Sequence, residues 1–154
     1  KMPKHLERFR NPKAAQQEQN LLLNVHHHPA MVITSGLYAD IESKFQEFMD
    51  TYPRLPSLWI WWWCKCLGQG KRFGSMAMMA LEMNDPGLCC CYLKYGLRSL
   101  NDQLTCLSIL PDRLAGIDEL KEQIQKRLFD VRETWLRLLD VCRIETNQRQ
   151  GDAE

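Results

Sequence analysis

The chain has 154 residues, 45% hydrophobic and 25% charged, with a formal net charge of +1. That is the composition of one globular domain with room for a core, and it excludes a molecule that attracts nucleic acid by its overall field. No run reaches 18 consecutive apolar residues, which excludes a membrane-spanning helix.

In chain order, residues 1–10 read as a basic flexible tail. Lys1, Lys4, Arg8 and Arg10, with Lys13 behind them, stand against Glu7, a local charge of +4. Such a segment is either a solvated tail or a contact for an acidic protein or RNA. Glu7, Asn11 and Pro12 argue against a mitochondrial presequence. A single helical domain is expected over residues 11–146. Asn11-Pro12 starts its first helix, with Asn able to cap and Pro suited to the first turn. That helix runs to about Val25, and His26-His27-His28-Pro29 ends it, because Pro disfavours the helical conformation of the residue before it. Residues 29–36 are expected as a loop with a short extended piece at Met31-Val32-Ile33. The next helix is capped by Ser35 and places Leu37, Ile41, Phe45, Phe48 and Tyr52 on one face.

After Pro53 and Pro56 comes the aromatic run from Leu58 to Leu67, with Trp59, Trp61, Trp62 and Trp63. A short helix is the expectation, with a strand as the alternative, because aromatics suit both. Residues 68–74, Gly-Gln-Gly-Lys-Arg-Phe-Gly, read as a glycine-rich basic loop, and Met76–Met83 as a further short helix. Asn84-Asp85-Pro86-Gly87 is a turn in which Asp85 caps and Pro86 opens the following helix. That helix is expected to end near Ser99, with another from Asn101 to just before Pro111. A first turn at Asp112–Ala115 and a break at Gly116 precede the last helix. There, Ile117, Leu120, Ile124, Leu128, Val131, Trp135, Leu138 and Cys142 are separated by steps of 3 or 4, a helical stripe without Pro or Gly. Phe129 and Leu139 widen it. The helix is expected to end near Thr146, leaving 147–154 as a polar C-terminal tail. The sum is an all-α single compact bundle of six or seven helices with a long C-terminal amphipathic helix. That helix serves as the spine of the bundle, or else the Ile117–Cys142 seam forms a homodimer.

The motifs exclude more chemistry than they assign. The segment from Gly68 to Ser75 fails as a phosphate loop, since that motif needs Gly, four residues, then Gly-Lys-Ser/Thr, and here Lys71 is followed by Arg72. The only histidines are His5, His26, His27 and His28, and no nucleophile elbow, zinc-protease or dinucleotide motif is present. No catalytic residue is therefore assigned, and no cofactor is expected. The seven cysteines, 64, 66, 89, 90, 91, 106 and 142, include three in a row and no Cys-x2-Cys pair. They read as free thiols packed in a core, in a reducing compartment such as the cytoplasm. Zinc bound by Cys64, Cys66, Cys89, Cys90, Cys91 and the histidines is the competing use.

The aromatic run carries the functional expectation. At 100° per residue, Trp59, Trp62, Trp63 and Cys66 share one arc of a helix, and Trp61 lies nearly opposite with Leu58 and Lys65. Trp and Arg dominate binding hot spots, so a protein-binding patch is expected at Arg54, Trp61, Lys65, Lys71, Arg72 and Phe73. The same stretch could lie on a membrane surface with Cys64 or Cys66 acylated. Met, Trp and Cys total 19 residues, a bias that can arise from overlapping reading frames and points to a small viral accessory protein acting on a host protein. The leading expectation is thus a non-enzymatic protein–protein interaction module. The alternative is a basic nucleic-acid-binding or zinc-binding helical protein.

Overall fold

A computed structural model describes residues 29–110 and 117–153 of the chain. The basic tail, the expected helix at 11–25, all four histidines and the break at Gly116 lie outside the described residues. Four helices cover nearly all the rest: α1, Pro29–Thr51; α2, Ser57–Glu82; α3, Pro86–Ser108; and α4, Ile117–Gly151. The all-α class stands, and the expectation of six or seven helices is corrected to four among the described residues.

Each correction has a physical reason. Residues 29–36, expected as a loop, form the first two turns of α1. Proline's fixed φ suits the first position of a helix, and Ala30, Thr34 and Tyr38 extend the buried stripe of Ile41, Phe45 and Phe48 backwards. Gly36 meets nothing on its open side, so it weakens the helix without breaking it. Residues 68–74 are not a loop but the middle of α2, and the aromatic run is helix rather than strand. Gly70 and Gly74 are buried there, where the lack of a side chain admits rings from other helices. Asn101 is an exposed helical position, not a restart: Leu100, Gln103, Cys106 and Leu107 continue the buried face of α3. At the far end α4 runs five residues past Thr146 to Gly151.

The turn before α3 forms as expected. The Asp85 carboxylate accepts a hydrogen bond from Leu88 N at 2.9 Å, and Pro86 opens the helix. Asn84 takes a positive φ of 59°, a conformation Asn tolerates better than most side chains. The side chain of Arg149, near the end of α4, donates to the Asn84 carbonyl at 2.8 Å and to its Oδ1 at 2.7 Å. This ties the end of α4 to the α2–α3 turn.

The helices alternate in direction around one core. Phe45 of α1 stacks on Trp63 of α2 with centroids 5.2 Å apart, and Glu42 pairs with Lys71 at 2.7 Å. As numbering rises on α1 it falls on α2, so the two are antiparallel. The same holds for α2 and α3, where Trp59 Nε1 donates to the Cys106 carbonyl at 2.8 Å and Phe73 stacks on Tyr95. It holds for α3 and α4 through Cys89–Cys142 and Gly96–Trp135. It holds for α4 and α1, where Trp135 Nε1 donates to Thr34 Oγ1 and Arg127 Nε to Asp40 Oδ2. The result is an up-down-up-down four-helix bundle.

Trp135 is the point where all four helices meet. It is fully buried, it bonds Thr34 of α1, and its ring lies against Gly74 of α2 and Gly96 of α3. The rest of the α4 stripe is equally buried at Ile117, Ile124, Leu128, Val131, Leu138 and Cys142. The seam expected for a homodimer is therefore filled by the chain's own helices. Phe129, expected to widen it, is instead 47% exposed.

Candidate interaction surface

Helix α2 divides its aromatic residues between two sides. Trp63 is fully buried and Trp59 nearly so, stacked on each other with centroids 5.6 Å apart and packed against Phe45. Trp62 is half-buried. Trp61 is 59% exposed, and the Lys65 ammonium stands over its ring at 5.1 Å from the centroid. Residues one helical turn apart lie above one another, so this i,i+4 pair combines indole and ammonium in a cation–π contact worth ~0.5–1 kcal/mol at an exposed site. Leu58, Met79 and Met83 are also exposed, at 77%, 52% and 71%. With Gly68 and Arg72 they continue the outward stripe for most of the 26-residue helix, roughly 40 Å at 1.5 Å per residue.

The six expected binding residues separate into groups. Trp61, Lys65 and Arg72 share the outer face of α2, and all three are exposed. Lys71 points to the α1 flank, where it pairs with Glu42. Phe73 points to the α3 flank, half-buried, its ring 5.4 Å from that of Tyr95. Arg54 is exposed in the turn before α2. The expectation placed Leu58 beside Trp61 without counting it among the binding residues, and it missed Met79 and Met83 as members of the face. A helix continued through Gly68 and Gly74 would have aligned Met79 with Trp61, five turns apart; the glycines hid that register.

The face is basic. Glu82 is the only carboxylate of α2, against Lys65, Lys71 and Arg72. In contrast α1 carries Asp40, Glu42, Glu47 and Asp50 against Lys44. Exposed pairs such as Lys71–Glu42 add little stability, so the asymmetry matters for recognition rather than for folding.

Other chemistry finds less support in the geometry. All seven cysteines are free, with Cys64 and Cys91 exposed and the others buried. Cys66 thus faces the core and is no acylation site in the folded chain. Among the described residues no three His, Cys, Asp or Glu side chains converge as a metal site. A cleft between α1 and α4, lined by Ile33, Leu37, Asp130, Glu133, Thr134 and Arg137, holds two carboxylates. Asp130 is paired with Arg127, and Glu133 with Arg137, so each already faces a cation. No helix among the described residues is long and apolar enough to cross a membrane. No protein-family model, curated protein or solved structure matches the chain.

Proposed function

We propose that the chain is a non-enzymatic interaction module that engages a protein partner through the outer face of α2. The observation that supports this reading is Trp61, an indole held in solvent beneath Lys65 on a face that also exposes Leu58, Arg72, Met79 and Met83. Burying an aromatic anchor supplies much of the energy of a hot spot, and Met side chains adapt to an uneven partner surface. With Lys65 and Arg72 on the stripe and Glu82 the only carboxylate of α2, the fitting partner offers apolar side chains flanked by Asp or Glu. Seven free thiols suit a reducing, cytoplasmic setting.

The test is affinity capture from the native cell with three baits: wild type, Trp61→Ala and Lys65→Glu/Arg72→Glu. All three native side chains that they replace are exposed, so circular dichroism and thermal unfolding should be nearly unchanged. A partner held by wild type and lost by both variants supports the reading. Equal capture by all three removes the α2 face from it. Salt-sensitive retention of wild type on phosphatidylserine vesicles, with no protein captured, would assign the face to an anionic lipid surface instead.

A further inference from the structure

The seven thiols are not equivalent, and one pair stands apart. The Cys142 thiol donates to Cys89 Sγ at 3.6 Å across the α3–α4 interface, and neither residue is exposed to solvent. Cys90, the next residue, turns toward the Leu139 carbonyl at 4.0 Å. Cys106 turns toward the Trp59 carbonyl at the opposite end of α3. We propose that Cys89 and Cys142 form an oxidation site, a buried dithiol that a low-molecular-weight disulfide such as oxidised glutathione converts into a covalent link between α3 and α4.

The geometry favours this pair over every other. A disulfide bond needs its sulfurs about 2.05 Å apart, so the two atoms must approach by roughly 1.5 Å. Small rotations about the two Cα–Cβ bonds and a slight helix shift cover that distance. The chemistry balances with the named oxidant. One thiol loses its proton, and its sulfur attacks a sulfur of oxidised glutathione, forming a mixed disulfide and releasing one glutathione thiolate. The second cysteine, deprotonated in turn, attacks the protein sulfur of that mixed disulfide and releases the second glutathione. Two cysteines are oxidised, one disulfide is reduced to two thiols, and the protons lost by Cys89 and Cys142 end on glutathione.

Access comes from the end of the bundle. Cys89 is the fourth residue of α3, and Cys142 lies nine residues before the end of α4. The last turns of α4 are held over the α2–α3 turn by Arg149, which bonds Asn84 there and Glu145 Oε1, one turn back on its own helix, at 2.6 Å. Arg149 is 41% exposed on its side chain and lies two residues from the end of α4, so the clasp opens when the helix end frays.

The experiment uses the full chain with Cys64→Ser and Cys91→Ser, which removes the two exposed thiols. It is incubated with oxidised glutathione without denaturant and mapped by mass spectrometry of non-reduced peptides. The expected product is lighter by two hydrogens, carries a Cys89–Cys142 peptide, reverts with dithiothreitol and keeps its helicity. It melts several degrees higher, because the link closes a loop spanning 53 positions in the unfolded chain. Arg149→Ala should accelerate the reaction several-fold with the same product. Cys89→Ala and Cys142→Ala, made separately and checked for helicity, should each abolish the cross-link. A stable mixed disulfide, a Cys89–Cys90 pair, or a cross-link formed only in urea would overturn the site. An unchanged rate in Arg149→Ala would overturn the route.

Discussion

The indole of Trp135 lies against two helices that present no side chain where it touches them. A Cβ added at Gly74 would come 2.9 Å from its Cζ2, and one added at Gly96 2.8 Å from its Cζ3, well inside the ~3.5–4.0 Å at which carbon atoms pack. Trp135→Ala would leave a cavity shared by four helices, and its expected cost is about 3–5 kcal/mol in denaturant unfolding. A loss below about 1 kcal/mol would place Trp135 at the surface instead. The glycines give a test of sign. Gly74→Ala and Gly96→Ala should each destabilise by about 1–3 kcal/mol through overpacking, despite alanine's better helix propensity. Gly68 meets nothing within 4 Å, so Gly68→Ala should stabilise by about 0.5–1 kcal/mol. Urea midpoints that move the same way for all three would refute the packing. Tyr38 offers the converse case. Its hydroxyl is buried against Gly70 with no hydrogen-bond partner among the described residues, a placement that costs free energy. Tyr38→Phe should therefore hold or raise the urea midpoint, and a drop above about 1 kcal/mol would show that the hydroxyl has a partner.

At the scale of elements, α4 was legible from its own spacing and α2 was not. Every position of the α4 stripe is apolar at steps of 3 or 4, so the periodicity alone locates the buried face. In α2 the same face carries Gly70, Gly74 and Ala77 among its buried residues, and glycine in a single sequence signals a loop more often than a groove. The information lay elsewhere, in Tyr38 and Trp135, whose rings fill the space those glycines leave. No local window joins them. The outward side of Trp61 was legible because it needs only the helical period over a few residues, whereas the reach of that face to Met79 depended on the missed continuity. Gln69 tests that continuity. It is exposed in mid-helix, so a loop there would accept proline. In α2 the proline ring removes one hydrogen bond and meets the preceding turn, and Gln69→Pro should cost about 3 kcal/mol or more. Unfolding energies within about 1 kcal/mol of wild type would restore the loop.

The whole molecule couples its core to alkaline pH through buried thiols and a buried phenol. Burial pushes Cys90 up to about 11 and Cys106 up to about 12, and it also raises Cys66. The hydrogen bond shared with Cys142, followed by burial, raises Cys89, and burial raises the Tyr38 phenol. All are raised, so the folded chain holds protons that the unfolded chain releases at ordinary values, about 8.5 for thiols and 10 for phenols. The stabilisation is fully present below about pH 8.5. Above it, the unfolded chain binds fewer protons than the folded one, and stability falls by roughly 1.4 kcal/mol per pH unit for each group ionised only on unfolding. The fall continues until the folded thiols themselves ionise, near 11 for Cys90 and near 12 for Cys106. Urea unfolding under reducing conditions should thus give a flat stability from about pH 7 to 8 and a steepening loss from pH 9 to 11. Cys106→Ala, at the far end of the bundle from the Cys89–Cys142 pair, should make the slope shallower while lowering stability at neutral pH. A profile that stays level to pH 11 would mean that water reaches these thiols in the folded bundle.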